Sequence, residues 1–190
     1  VVHRLRTMEA ANPELSWGDM AVLYRTNAQS RSIEESLVRW GIPYIVVGGL
    51  RFYDRREIKD LLAYLRLLVN PADTVSLLRV INVPKRGIGK TTIQRLTDAA
   101  NQLGIPLWDV VSDAEAVRSL GGRSARGLLQ FCELLHDLRR QVQEVAPFEL
   151  IQQVMEKSGY VSELIAEGTD EAEERRRNLQ ELVNAALQYQ

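Results

Sequence analysis

Apolar positions change their period near residue 50 of the 190-residue chain. Before it lie two short runs rich in β-branched and aromatic residues, "MAVLY" (20–24) and "YIVVGG" (44–49). Each is closed by polar residues or glycine, which predicts two buried strands. Between them Ile33, Leu37 and Trp40 share one helical stripe. Ser30 or Ser32 can cap that helix, Glu34 and Glu35 suit its first turn, and Gly41 with Pro43 ends it. Strand–helix–strand over about 30 residues is the βαβ unit of a parallel sheet. Parallel sheets bury both faces, so two strands call for others, and the chain is expected to be part of something longer. The opening "VVHRLRTMEAA" does not read as a signal peptide, because charge interrupts any apolar core, and reads instead as the tail of a helix.

After Gly49 the period becomes helical. "REIKDLLAYLRLLVN" (56–70) places Ile58, Leu61, Leu62, Leu65, Leu68 and Val69 on one face, and Pro71 stops it. A short helix is expected at 74–83. Another spans 90–104, begun by a threonine cap and ended by Gly104 and Pro106. "GGRS" (121–124) reads as a linker. Leu128, Phe131, Leu135, Leu138, Val142 and Val145 then follow 3-4 spacing along a long helix, and a last pair occupies 148–157 and 171–189. The expected fold is mainly α, with a small α/β, parallel-strand part at the N-terminus and a helical C-terminal part.

Charge sharpens this outline. The net charge of −1 makes the whole chain no general polyanion binder. Yet no acid lies between Asp73 and Asp98, while Arg79, Lys85, Arg86, Lys90 and Arg95 give that stretch +5. From Glu163 to Glu181 seven acids face Arg175, Arg176 and Arg177. The first stretch suits a polyanion and the second a solvent-facing helix. Cys132 is the one cysteine, which excludes an internal disulfide and fits a reducing compartment. His3 and His136 lie too far apart for metal-ligand spacing, so no metal site is expected. No apolar run reaches the ~20 residues that span a bilayer.

Three stretches carry candidate chemistry. "PKRGIGKTT" (84–92) ends like a nucleotide-binding P-loop, but the first glycine of that motif would fall at Pro84, and no strand leads in. The Gly-Ile-Gly turn instead feeds a helix start, with Lys85, Arg86 and Lys90 around it. Amides, glycines for close approach and cations together suit a phosphodiester backbone without base readout. In "LYRTNAQSR" (23–31), at the end of a predicted strand, an aromatic ring can stack on a base and the adjacent guanidinium can fork onto a phosphate. "GGLRFYDRREIKD" (48–60) interleaves Arg51, Arg55 and Arg56 with Phe52 and Tyr53, as single-stranded nucleic acid favours.

In order, "AVLYRTNAQSRSIEESL", "IPYIVVGGLRFYDRREIKDLLAYLRLL" and "INVPKRGIGKTTI" resemble the bacterial UvrD/PcrA/Rep group of superfamily 1 DNA helicases. The resemblance is dense over 20–93 and looser after 119, where "MEKSGY" and "NLQELVNAAL" fit. It implies a 3′-to-5′, ATP-driven motor of four subdomains. Residues 1–118 would be part of RecA-like subdomain 2A with its DNA-contacting helices, and 119–190 the opening part of helical 2B. Tyr24 would stack on the adenine of ATP, and Arg25 would be an arginine finger. Gly49, Arg51, Phe52, Arg55, Arg56, Lys85, Arg86, Gly87, Gly89, Lys90, Thr91 and Thr92 would touch DNA. Lys157, Ser158 and Gly159 would match a turn that grips duplex, in which Tyr160 occupies a variable position. The resemblance also implies ATP with Mg²⁺ for the whole protein, with none held tightly by this chain. The chain has no Walker A lysine and no Asp-Glu pair for Mg²⁺, so alone it is not expected to hydrolyse ATP. Implied partners are single-stranded and duplex DNA, the remaining helicase subdomains, and repair or replication proteins, in the bacterial cytoplasm with the nucleoid. The alternative is a non-catalytic DNA- or partner-binding helical module.

Overall fold

Residues 1–188 are described by a computed structural model, and every regular element among them is a helix. Helices α1 (Val2–Ala11) and α2 (Ser30–Arg39) are followed by an irregular stretch, then by α3 (Arg56–Val69) and α4 (Thr74–Val80), which pack on each other. Next come α5 (Lys90–Leu103), α6 (Leu107–Ser112), α7 (Ala114–Leu120) and α8 (Ala125–Gln141). The chain closes with α9 (Pro147–Lys157), α10 (Tyr160–Glu167) and α11 (Asp170–Leu187).

The α/β part expected at the N-terminus does not form. Residues 20–24 and 44–49 carry no regular structure, and no strand occurs among the described residues. A strand is stabilised by hydrogen bonds to a neighbouring strand, and neither run has one alongside. Side chains that the pattern assigned to a core stand in solvent instead: Leu23 is 94% exposed, Ile45 83% and Val47 85%.

Other expectations shift locally. Gly89, not a threonine, is the N-cap of α5, with no side-chain cap. Ser30 lies inside α2, where its hydroxyl accepts from Arg55. "GGRS" is no linker: Gly122–Ser124 is a 3₁₀ turn with Ser124 buried. Three short helices, α6, α7 and α10, have no counterpart in the periodicity. The expected end of the last helix at 189 lies outside the described residues.

The main core runs from Phe52 to Val183 across residues 118 and 119, with Tyr64, Phe131, Ile58 and Leu61 among its fully buried side chains. Helix α3 is central, packing on α4, α8, α9 and α11. A smaller cluster of Val2, Leu37 and Ile42, flanked by Leu5, Trp17, Ile33 and Tyr44, joins α1 to α2. A polar seam along α11 links this arm to the main core. Asn27 donates to Glu174, Arg31 Nε lies 3.5 Å from Glu181, and Arg55 Nη1 donates to Asn178 Oδ1 at 2.9 Å. Asn178 Nδ2 donates in turn to Glu57 Oε1 at 2.7 Å.

Helix α8 meets the basic stretch at Gly127. A Cβ there would lie 2.3 Å from the Arg86 carbonyl oxygen, far inside van der Waals contact. Gly127→Ala is therefore expected to destabilise the fold by about 1–3 kcal/mol. Urea unfolding should show a lower midpoint at unchanged slope. An unchanged midpoint would mean that the 84–89 turn yields freely.

Candidate nucleic-acid interface

Tyr24 and Arg25 are presented by a side-chain-stapled turn. The Gln29 carboxamide oxygen accepts the N–H groups of Arg25 at 3.1 Å and Thr26 at 3.2 Å. This fixes the backbone and leaves the Arg25 side chain outside. Both residues line a cleft of about 840 Å³, whose other wall includes Arg177, Gln180 and Glu181 of α11. Among the described residues the Arg25 guanidinium has no hydrogen bond and no ion pair, and the residue is exposed. Arg31, one turn of chain away, behaves oppositely. It is buried and tied to Glu35 at 2.9 Å and to Glu181.

In the 48–60 stretch the structure divides the expected contacts. Gly49, Arg51 and Arg56 are exposed. Phe52 is fully buried, so its ring offers no stacking face. Arg55 is also buried and donates to Asn178, to Ser30 Oγ at 2.7 Å and to the Leu50 carbonyl at 3.4 Å. The stretch is anchored by Glu34, which accepts the Phe52 N–H and the Tyr44 hydroxyl, each at 3.2 Å. Burial, and then the Glu34 charge, raise the Tyr44 phenol above its ordinary pKa. The aromatic ring on the surface is Tyr53, whose hydroxyl donates to Glu35 at 2.8 Å.

The Gly-Ile-Gly turn is preorganised. Asn82 Oδ1 accepts the N–H groups of Arg86 at 2.7 Å and Ile88 at 3.1 Å, and Ile88 is buried as an anchor. Gly87 has φ +71°, a conformation a side chain would strain. Its carbonyl accepts from Ser124 Oγ at 2.8 Å. Gly89 ends the turn without a capping side chain, so the first N–H groups of α5 face outward. Lys85, Gly87, Gly89, Lys90 and Thr91 are exposed, whereas Thr92 is buried against Ser124. Arg86 turns inward, and Arg79 Nε binds Asp60 at 2.8 Å. Of the five cations in the acid-free stretch, Lys85, Lys90 and Arg95 are exposed and have no partner among the described residues.

At the second glycine turn Lys157 is exposed, with Nζ donating to Gln153 at 2.8 Å. Ser158 is buried, and its Oγ accepts the Tyr160 N–H at 3.2 Å. Gly159 has φ +82°. The Tyr160 hydroxyl donates to Asp60 Oδ2 at 2.9 Å, and burial with that carboxylate pushes its phenol far up. Asp60 was missed by sequence reasoning. It is buried, yet Tyr160, Arg79 and, at 3.7 Å, Arg56 converge on it. The available signal was an acid four residues after Arg56, set within an apolar stripe.

Among the described residues no group of three or more His, Cys, Asp or Glu side chains could hold a metal ion. No described helix is long and apolar enough to cross a membrane.

Residues 3–190 match the family model of the UvrD-like helicase C-terminal domain. The chain is 41% identical over 175 residues to the ATP-dependent DNA helicase PcrA of Leuconostoc citreum, covering 92% of this chain and 23% of that protein. The same identity holds over 172 residues with PcrA of Staphylococcus aureus strain Mu50, covering 90% and 23%. Identity to the Staphylococcus epidermidis PcrA is 39% over 174 residues, covering 92% and 24%. The chain thus spans about a quarter of the length of these curated relatives.

Proposed function

As the chain belongs to the UvrD-like helicase C-terminal domain family, we propose that it is one section of an ATP-dependent DNA helicase moving 3′ to 5′. The Arg25 guanidinium, unpaired among the described residues and set in the cleft that Tyr24 also lines, carries this proposal. Tyr24 stacks on the adenine. Arg25 is the arginine finger, its planar fork neutralising charge on the transferring γ-phosphate. Mg²⁺ would accompany ATP in the whole protein, and the roles of Tyr24 and Arg25 require no metal ligand from this chain. Alone, the chain hydrolyses no ATP.

DNA backbone is met at several exposed places. Lys85, Lys90 and the N–H groups of Lys90 and Thr91 at the start of α5 form one phosphate contact, and Lys157 beside the half-buried Gly159 forms another. Gly49, Arg51 and Arg56 face the single strand. Repair or replication proteins in the bacterial cytoplasm are the expected company of such a motor.

The test uses the full-length protein. Single-stranded DNA should stimulate ATP turnover, and duplexes with a 3′ single-stranded tail should be unwound in preference to those with a 5′ tail. A 5′ preference would overturn the polarity. DNA binding without stimulated turnover would leave the non-catalytic module.

A further inference from the structure

Arg86 sits in the middle of the basic stretch, yet its side chain faces away from the solvent-exposed cations and toward the fold. We propose that Arg86 is a positioning residue that joins the two glycine turns, 84–89 and 157–160, into one grip on the DNA backbone. This rests on the reading of both turns as phosphate contacts. The guanidinium lies between them. Nη1 donates to the carbonyl of Pro84 at 3.0 Å and that of Val80 at 3.4 Å. Nη2 donates to the Ser158 carbonyl at 3.1 Å and to the Tyr64 hydroxyl at 2.8 Å. The Phe131 ring, 5.3 Å away, backs the group. Among the described residues, this side chain makes the hydrogen bond that connects the two turns.

Each turn is already rigid within itself, the first through Asn82 and Ser124 and the second through Ser158. What remains to be set is their mutual placement, and the planar fork sets it. A lysine at this position could not reach four acceptors in one plane. The functional consequence follows from effective concentration. Either turn alone offers few phosphate contacts and binds weakly. Once one has engaged a duplex, a fixed spacing makes engagement of the other intramolecular. Glycine at 87 and 159, both with positive φ, keeps the two backbones free of side chains on the face so aligned.

The experiment measures anisotropy of a labelled blunt duplex with the full-length protein over a salt series. The proteins are the parent, Lys90→Gln, Lys157→Gln, Arg86→Met, Tyr64→Phe, and the last two each combined with Lys157→Gln. In the parent, either lysine change should weaken binding and flatten the log–log salt slope, by about one for each phosphate no longer neutralised. Arg86→Met should lower duplex affinity about tenfold or more, because the two turns no longer engage together. Adding Lys157→Gln to Arg86→Met should then cost much less than it does in the parent. Tyr64→Phe removes one anchor and leaves the guanidinium, so Lys157→Gln should cost somewhat less in that background than in the parent. A purely structural arginine would leave the cost of Lys157→Gln the same in every background, and that result would overturn the proposal. If Arg86→Met does not fold, an undiminished cost of Lys157→Gln in the Tyr64→Phe background would overturn it equally. Were both lysine changes silent in the parent, the phosphate contacts themselves would fall, which is a distinguishable failure.

Discussion

Arg25→Ala in the full-length protein is expected to lower ATP turnover by about 10³-fold or more while leaving DNA affinity nearly unchanged. In activation free energy that is about 4 kcal/mol or more. The expectation follows from what Arg25 lacks. It is exposed and has no partner among the described residues, so its removal strands no buried group and should not lower the melting temperature. Its neighbours lose nothing either, because Gln29 holds the Arg25 backbone and not its side chain. The whole effect should therefore appear in the chemical step. Arg25→Lys should fail nearly as badly, since a point charge cannot reproduce a two-donor fork on phosphate oxygens. Steady-state hydrolysis at saturating single-stranded DNA, beside anisotropy titration of the same DNA, makes the measurement. Parallel losses in both would mean that Arg25 supports the fold.

Arg55→Ala should do the reverse. Arg55 is 6% exposed and holds three segments at once, through Asn178, Ser30 and Leu50. Its removal strands the Asn178 and Ser30 oxygens and takes the cation from the end of a network that also buries Glu57. Breaking such a network costs about 3–5 kcal/mol. For a chain of this size that lowers the melting temperature by about 10 °C. Arg55→Lys should recover little, because an ammonium cannot reach acceptors in three directions. Calorimetry would check the shift, and an unchanged melting temperature would return Arg55 to the surface DNA contacts.

Those two arginines show what was legible in the sequence. Helices α3 and α8 announced themselves by apolar spacing, and Pro71 and Gly104 marked the ends of α3 and α5. The two β-branched runs misled because strand propensity describes a residue's fit to a sheet, and a sheet needs a neighbouring strand. Helices α6, α7 and α10 are too short for periodicity to register. Their boundary residues do carry a signal: Asp113 caps α7 through two backbone amides, and Gly159 and Gly168 bracket α10. At the site, an Arg25 guanidinium without a partner among the described residues could be suspected from its place after an apolar run. The inward turn of Arg55 and Arg86 could not, because their partners Asn178 and Ser158 are 123 and 72 residues away. Local composition treats every arginine alike, and tertiary contact separates anchors from tools.

The seam along α11 has a consequence for motion. The arm formed by α1 and α2 keeps only a small apolar cluster of its own. Much of its link to the rest is hydrogen bonds and ion pairs, which water can replace when the seam parts, at little hydrophobic cost. Opening of residues 1–51 as a unit therefore takes less work than global unfolding, and amide exchange in α2 should run ahead of that in α3 and α8. Tyr24 and Arg25 ride on this arm. The residues assigned to the nucleotide thus belong to the part of the molecule that can move while the helical core stays folded.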